Sequence, residues 1–271
     1  MEHLDTVSAA GLESPRPLVG TQHQVMQTTH DLPVHVDRVL EDFMGAARQA
    51  CGDVLHSVVL YGSGAEGRLR ATSDVNLILV LREFTPQMAD ALREPLRLGQ
   101  AAARLAVMFL LESEVSAAVN AYPVKYLDII HRHRILHGSN PFEGLSFSRD
   151  ACVFRLKQVL LNLRLRLRSL YVMRGLNEEQ LVLVVADAVG PLRSCAATIL
   201  ELEGHAAPSP REALEKVLPA GDSAWHDVMN HLSQARQTRT LEVGVAGKTL
   251  FRVMELTELL LSRVDNLPKE P

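Results

Sequence analysis

A glycine-rich turn followed by an acid is the stretch of this sequence best suited to chemistry. Three glycines lie between a short β-branched run, Ser57 to Tyr61, and the apolar run Val75 to Leu81. Glycines permit positive φ angles and close approach of a ligand, and a short helix opening after Ser63 would direct free N–H groups at an anion. The pattern predicts a phosphate-binding turn between two strands; the alternative is a glycine-rich turn that binds nothing. The predicted binding residues are Gly62, Ser63, Gly64, Gly67 and Ser73.

An acid stands where the second strand of this pattern opens. Asp74 precedes the strand, and in a strand the residue two positions further on points to the same face, so Asn76 is predicted to lie beside it. Simpler roles exist for two of these side chains. Asp74 could instead close a strand-end turn, and Ser63 could cap a helix while also binding phosphate.

This arrangement resembles the polymerase β superfamily of nucleotidyltransferases, in particular the minimal and the aminoglycoside nucleotidyltransferases. Their signature is a hydrophobic residue, Gly-Ser, a spacer of roughly ten residues with glycine and Ser-Asp at its end, then Asp-x-Asp or Asp-x-Glu. The chain departs from it at Glu66, where many members carry Arg, and at Asn76, where the second metal-binding carboxylate belongs. The matching residues are Gly62, Ser63, Ala65, Gly67, Ser73, Asp74 and Leu77.

The resemblance implies transfer of a nucleoside monophosphate from a nucleoside triphosphate to a hydroxyl of a small molecule or a protein, with Mg²⁺ or Mn²⁺ as cofactor. Nucleotidyl transfer uses divalent ions held by several carboxylates. We therefore assign catalytic and metal-binding roles to Asp74, to Asn76 with its neutral oxygen, and to Asp128. Asp128 lies in an apolar run that we interpret as a strand, Lys125 to His131; the alternative is a solvent-facing or structurally paired acid at a strand edge.

Asn76 leaves two functional hypotheses open. The first is an active, metal-dependent nucleotidyltransferase. The second is a catalytically degenerate homologue that binds nucleotide as a regulatory or antitoxin-like module. A neutral amide oxygen is a poorer ligand for Mg²⁺ than a carboxylate, so Asn76 discriminates between the two.

Basic residues in the second half of the chain are further candidates. Lys157, Arg164 and Arg168 share one stripe of a predicted helix, while Arg155 and Arg166 lie on its other flank. The resemblance implies that a helical domain closes the site, so Arg164 and Arg168 are predicted to bind the nucleotide phosphates. The alternative is that the stripe is an ordinary solvated helix face.

Two other polar features are given structural roles. Asp187 lies in an apolar segment, four residues before Pro191, and is predicted to be buried and paired with an arginine of the preceding helix; a general-base role is the alternative. His131, His133 and His137 would share one strand face, and without a fourth ligand a surface or edge role is favoured over a metal site.

The surrounding periodicity predicts the elements that position these residues. Strands alternate with helices in the first half, whereas helical spacing dominates after Arg149. This order predicts an α/β domain followed by an all-α helical bundle with a break at Pro191, and the resemblance implies that the first is a polymerase-β-like α/β (α+β) domain with a mixed sheet. The predicted boundaries are a flexible leader at 1–30, the nucleotidyltransferase-like domain at 31–145 and the bundle at 149–267.

Composition limits the classes of partner. The 271 residues carry a net charge of −4 and are 47% hydrophobic, which gives no strong nucleic-acid signal and enough apolar residues for one or two cores. No uncharged apolar run of membrane-spanning length and no export signal is evident, so we predict a cytoplasmic protein without a membrane partner. The three cysteines have no metal-site spacing.

Overall fold

The computed structural model describes residues 32–205, 209–219 and 222–268, so the predicted leader lies outside the described residues. These ranges contain four strands and nine α-helices. The strands are β1 Leu55–Tyr61, β2 Val75–Leu81, β3 Leu105–Leu111 and β4 His133–Gly138. The helices are α1 Val34–Cys51, α2 Pro86–Ala103, α3 Val115–Ala121, α4 Pro123–His131, α5 Arg149–Arg174, α6 Glu178–Leu202, α7 Pro210–Val217, α8 Ser223–Thr238 and α9 Val245–Asp265.

The four strands form one mixed sheet in the order β3-β2-β1-β4. β2 and β3 are parallel, while β1 is antiparallel to both β2 and β4. Tyr61 at the end of β1 lies opposite Asn76 at the start of β2. The connection between these strands, which carries the glycines, therefore projects from one edge of the sheet beside Asn76. The predicted mixed sheet followed by a helical region is confirmed.

The two faces of the sheet belong to different apolar clusters. On one face, Leu60 and Leu77 pack in a cluster with α1 and α2. On the other face, Val59 and Ile78 belong to a core that continues through α4 into α5, α6, α8 and α9. The sheet and the helical region thus share one core, and the domain division between 145 and 149 stays a prediction.

Local sequence signals explain where several helices begin and end. The Thr85 hydroxyl accepts a hydrogen bond from the backbone N–H of Met88 at 3.3 Å, and Pro86 occupies the first turn of α2. Gly52, with φ of 52°, ends α1 as predicted. The predicted break at Pro191 is wrong: α6 continues through it from Glu178 to Leu202, because both sides of this apolar helix are held by packing.

The largest correction concerns the fourth strand. The run Lys125 to His131, predicted as a strand, is helix α4, and β4 follows it at His133–Gly138. Pro123 occupies the first turn of α4, and its apolar side chains are buried on more than one side, which removes the helical period from the sequence. Asp128 consequently lies on a helix and not on a strand of the sheet.

Helix α6 is long and apolar enough to cross a membrane by length and composition alone, and it is the one such helix in the described ranges. The most apolar part of it is 67% buried inside the protein. Its apolar surface is thus used in contacts with the neighbouring helices and the sheet.

Candidate functional site

The glycine turn leaves β1 as a tight structure of three residues. Gly62–Gly64 form a single 3-10 turn, shorter than the predicted helix, so little helix dipole is available there. Gly62 and Gly67 have φ of 73° and 66°, angles that favour glycine. A Cβ on Gly62 would lie 3.9 Å from the Nδ2 atom of Asn76. The turn and the start of β2 therefore face one another closely.

A cleft opens between this turn, α4 and the helical region. Its largest compartment has a volume of about 360 Å³ and extends from Gly62, Ser63 and Asn76 to Gly190 of α6 and Arg236 of α8. A compartment of about 290 Å³ adjoins it along α4, and one of about 200 Å³ adjoins it beside Asp74. The arginines that line the largest compartment are Arg68, Arg70, Arg132, Arg193, Arg211 and Arg236. We call the three compartments together the arginine cleft.

The predicted acid Asp74 contacts an arginine outside the cleft lining. Its Oδ1 atom accepts bonds from Nε and Nη2 of Arg104 at 3.0 and 2.9 Å. Nδ2 of Asn76 donates a hydrogen bond to the backbone carbonyl oxygen of Asp74 at 3.3 Å. The Oδ1 atom is then the part of the Asn76 side chain that can accept a hydrogen bond. Ser73 accepts a bond from Nε of Arg70 at 3.3 Å. The structure thus brings Asp74, Asn76 and Ser73 together at the mouth of the cleft.

Asp128 reaches the cleft from α4 with its charge already neutralised. Nε of Arg132 donates to Asp128 at 2.9 Å and a second guanidinium nitrogen bonds the other carboxylate oxygen, while Nη1 of Arg132 donates to Glu66 at 3.1 Å. All three side chains are at most 24% exposed. Burial tends to lower the pKa of Arg132, whereas the carboxylates of Asp128 and Glu66 raise it. The net result is a raised pKa. The alternative structural ion pair for Asp128 is present.

The donor atoms do not fit a two-ion metal site. No strand of the sheet contains an acidic residue, and within the described residues no three His, Cys, Asp or Glu side chains are grouped as a metal would need. Asp74 and Asp128 already bind guanidinium groups, and Asn76 is neutral. The assignment of Mg²⁺ to these residues stays a prediction.

Two arginines of the cleft were not singled out from the sequence. Arg193 of α6 is only 9% exposed, and its Nε atom has no hydrogen-bond partner. Arg236 of α8 is half-buried. In the described part of the chain neither makes a salt bridge with a carboxylate. The available signal was that Arg193 is the lone basic residue of a mostly apolar helix.

The electrostatics of these arginines reflect missing negative charge. The pKa of Arg193 is lowered to about 10, first by burial and then by the nearby positive charges of Arg236 and Arg70, with a smaller opposing effect of Glu215. Burial likewise lowers the pKa of Arg236 to about 10, with Arg70 and Arg132 as the next causes. An anion in the cleft would relieve both the desolvation and the mutual repulsion.

The structure does not bring Arg164 and Arg168 to the cleft. Arg164 lies 3.7 Å from Glu258 of α9, and Arg168 is exposed on the outer surface of α5. The helical region reaches the cleft through α6 and α8 instead. Asp187 is exposed, not buried as predicted, and pairs with Arg239 at 3.1 Å and not with an arginine of α5.

A second contact joins α4 to the helical region. Nε2 of His131 lies 3.1 and 3.3 Å from the two carboxylate oxygens of Glu201 on α6. The bond to Glu201 raises the pKa of His131, against the opposing effect of burial. His131 is on a helix, so the predicted strand face shared by three histidines is wrong.

Of the comparisons with known proteins, the one with solved structures found similar chains. No family model and no curated protein matches the sequence. Among solved structures, spectinomycin adenyltransferase AAD(9) from Enterococcus faecialis, determined with ATP and spectinomycin, is similar with a TM-score of 0.58 and 11% identity. The match covers 85% of this chain and 99% of that chain. The chain has a nucleotidyltransferase-type fold. Within this nucleotidyltransferase-type fold, the arginine cleft lies between the sheet and the helical region.

Proposed function

We propose that the protein binds a nucleoside triphosphate in the arginine cleft and transfers its nucleoside monophosphate to a hydroxyl group of a small molecule. The observation that carries the proposal is the unpaired, buried Arg193 beside Arg236, opposite the Gly62–Ser63 turn. Buried charge without a partner is costly, so a site of this kind favours a polyanionic ligand. The structural similarity to an adenyltransferase determined with ATP supports the same ligand class.

The two ends of the cleft supply different chemistry. The phosphates would lie against Arg193 and Arg236, whose donors stabilise negative charge on the leaving pyrophosphate. The acceptor would lie in the compartment beside Asp74, which offers the hydroxyls of Ser63, Thr72 and Ser73 and the carboxylates of Asp74 and Asp187. These groups suit a polar molecule with several hydroxyls. The similar structure from Enterococcus faecialis, a spectinomycin adenyltransferase, was determined with spectinomycin as well as ATP.

Transfer requires the acceptor oxygen to attack the α-phosphorus while the bond to pyrophosphate breaks. The proton of the attacking hydroxyl must pass to a base. Asp74 and Asp187 both line the compartment that also contains Ser63, and each is a carboxylate within the cleft. We assign the base role to this pair of positions.

The second candidate is nucleotide binding without turnover, and one observation favours it. Asp74 is bonded by Arg104, and the side chain two residues on is the neutral Asn76. A carboxylate engaged by a guanidinium is a weaker base and a poorer ligand than a free one. In that case the cleft would serve a regulatory or antitoxin-like module.

Calorimetric titration with ATP tests the binding part. The double variant Arg193→Met/Arg236→Met should weaken ATP binding by about a hundredfold or more, since each charged hydrogen bond to phosphate contributes about 1.5–3 kcal/mol. Arg168→Met is the matched control, because Arg168 is an exposed arginine outside the cleft. Equal affinities in all three proteins would contradict the proposed site.

Release of labelled pyrophosphate separates the two candidates. Wild-type protein is incubated with each nucleoside triphosphate and a panel of polyhydroxylated small molecules, and the products are separated. Labelled pyrophosphate that is released only when an acceptor is present, and is no longer released by Asp74→Asn, supports transfer. Tight binding without pyrophosphate release on any acceptor supports the module that binds without turnover.

A further inference from the structure

The balance of charge in the arginine cleft shows which form of the nucleotide it suits. The largest compartment contains two carboxylates, Glu66 and Asp128, and both are bound by the same Arg132. Arg211 is paired with Glu215 at 3.0 Å outside the compartment. The cleft arginines that make no salt bridge within the described residues are Arg68, Arg70, Arg193 and Arg236.

The bound form of a triphosphate depends on how its charge is neutralised. A triphosphate without metal carries about four negative charges, and one divalent ion neutralises roughly half of them. Four unpaired guanidinium groups match the metal-free form. A metal-bound triphosphate would leave part of the positive charge of Arg193 and Arg236 uncompensated.

The opposite wall of the cleft offers a metal little to bind. Asp74 is engaged by Arg104, Asp128 by Arg132, and Asn76 is neutral. A divalent ion that entered with the nucleotide would have to displace a guanidinium from a carboxylate before gaining a charged protein ligand. Meanwhile the same ion would be repelled by the unpaired arginines.

We propose that the cleft binds the nucleoside triphosphate as the free polyanion, with the guanidinium groups of Arg68, Arg70, Arg193 and Arg236 in the charge-neutralising role that divalent cations have in metal-dependent transfer. The proposal rests on the proposed function, since it concerns the same ligand in the same cleft. It differs in predicting that divalent cations compete with the protein for the nucleotide.

Calorimetric titration in two buffers at matched ionic strength tests this. ATP, GTP and inorganic tripolyphosphate are each titrated into the full chain with EDTA, and again with Mg²⁺ well above the ligand concentration. We expect affinity for ATP to be at least about tenfold higher in EDTA, because Mg²⁺ removes charge from the ligand. Tripolyphosphate should show the same ratio, since the preference arises at the phosphates.

The outcomes separate this inference from the proposed function. ATP binding that is equal in the two buffers, or that requires Mg²⁺, overturns the metal-free form and leaves nucleotide binding intact. No binding of any of the three ligands in either buffer overturns both.

A variant provides an independent arm. Asn76→Asp places a second carboxylate beside Asp74, which should lower affinity for ATP in EDTA by about tenfold through repulsion and raise affinity for Mn²⁺. Asn and Asp side chains have nearly the same size and shape, so the substitution should have little effect on folding. Thermal unfolding of the unliganded variant checks this. Unchanged affinity of a folded variant for both ATP and Mn²⁺ would show that this side chain does not face the ligand and would overturn the proposal.

Discussion

Two groups of arginines in the cleft differ in whether they form a salt bridge with a carboxylate of the fold. Arg132 holds Asp128 and Glu66, and its own charge is balanced by the fold. Arg193 is more deeply buried, yet within the described residues it forms no salt bridge with a carboxylate, and the positive charge of Arg236 beside it adds to the cost of burying it. The first group stabilises the fold, and it does so by engaging Asp128, a carboxylate that the sequence predicted to be catalytic. The second is maintained at a loss of stability and therefore indicates a ligand.

The largest effect on stability is expected from Arg132→Met. It leaves the partly buried carboxylates of Asp128 and Glu66 close together without a cation, which we expect to cost about 2 kcal/mol of unfolding free energy. Urea denaturation measures it. Arg104→Met, at an ion pair that is about half exposed, is the control and should cost less than about 1 kcal/mol. Equal losses would mean that the two ion pairs do not differ in burial as the structure shows.

A change of opposite sign is expected from Arg193→Met. Replacing an unpaired buried guanidinium by an apolar side chain of similar length should raise the stability of the unliganded protein by about 1 kcal/mol. The same variant should lose most of the stabilisation that ATP gives the wild type. Thermal unfolding with and without ATP measures both. A variant less stable than wild type without ATP would indicate that Arg193 has a partner within the protein.

The contact between α4 and α6 should make stability depend on pH. Glu201 raises the pKa of His131 above its ordinary 6.5, with Asp128 acting in the same direction and Arg132 against it. The stabilising contribution is therefore fully present below about pH 6.5 and is lost as pH rises through the raised pKa. We expect a change below about 1 kcal/mol, measured by urea denaturation across this range. In His131→Gln this part of the pH dependence should disappear; an unchanged profile would assign it to other groups.

The smallest effect is expected from Arg168→Glu on α5. This arginine is exposed and outside the cleft, so reversing its charge should change ATP affinity less than about twofold at physiological ionic strength. Calorimetric titration measures it beside Arg236→Glu, which should nearly abolish binding. A large loss in Arg168→Glu would restore the interpretation that α5 closes the site.

The sequence was sufficient for elements with a local pattern of their own, either a repeated helical spacing or a short apolar run bounded by turn residues. The helical spacing predicted after Arg149 corresponds to helix α5, Arg149–Arg174, and the apolar run Val75 to Leu81 forms β2. The turn at Gly62 was predicted from glycine spacing, because positive φ has a direct sequence signal. These features depend on local rules that no distant contact overrides.

The misassigned elements depend on contacts that a single sequence does not show. Helix α4 is buried against both the sheet and α6, so its apolar residues have no polar face to mark a period. The edge strand β4 is polar and half-exposed, and its place beside β1 depends on Gly138, where a Cβ would overlap the carbonyl oxygen of His56. Strand pairing of this kind is a tertiary property.

The cleft shows the same limit. Asp74 and Asn76 are two residues apart and their proximity follows from strand geometry. Arg193 and Arg236 come from different helices and meet the glycine turn only in three dimensions. A sequence motif does not include charged residues that are far apart along the chain. The folded structure shows both that these two arginines are close together and that, in the part of the chain it describes, they lack a carboxylate partner.

The core that Val59 and Ile78 share with the helical region has a consequence for folding. Residues 31–145 alone would leave this face of the sheet, together with most of α4, open to water. A large apolar surface is buried between residues 31–145 and the helical region. Each of these two halves therefore depends on the other for its stability. The two halves should therefore unfold in a single cooperative transition, with equal calorimetric and van't Hoff enthalpies, and neither half should fold when expressed alone.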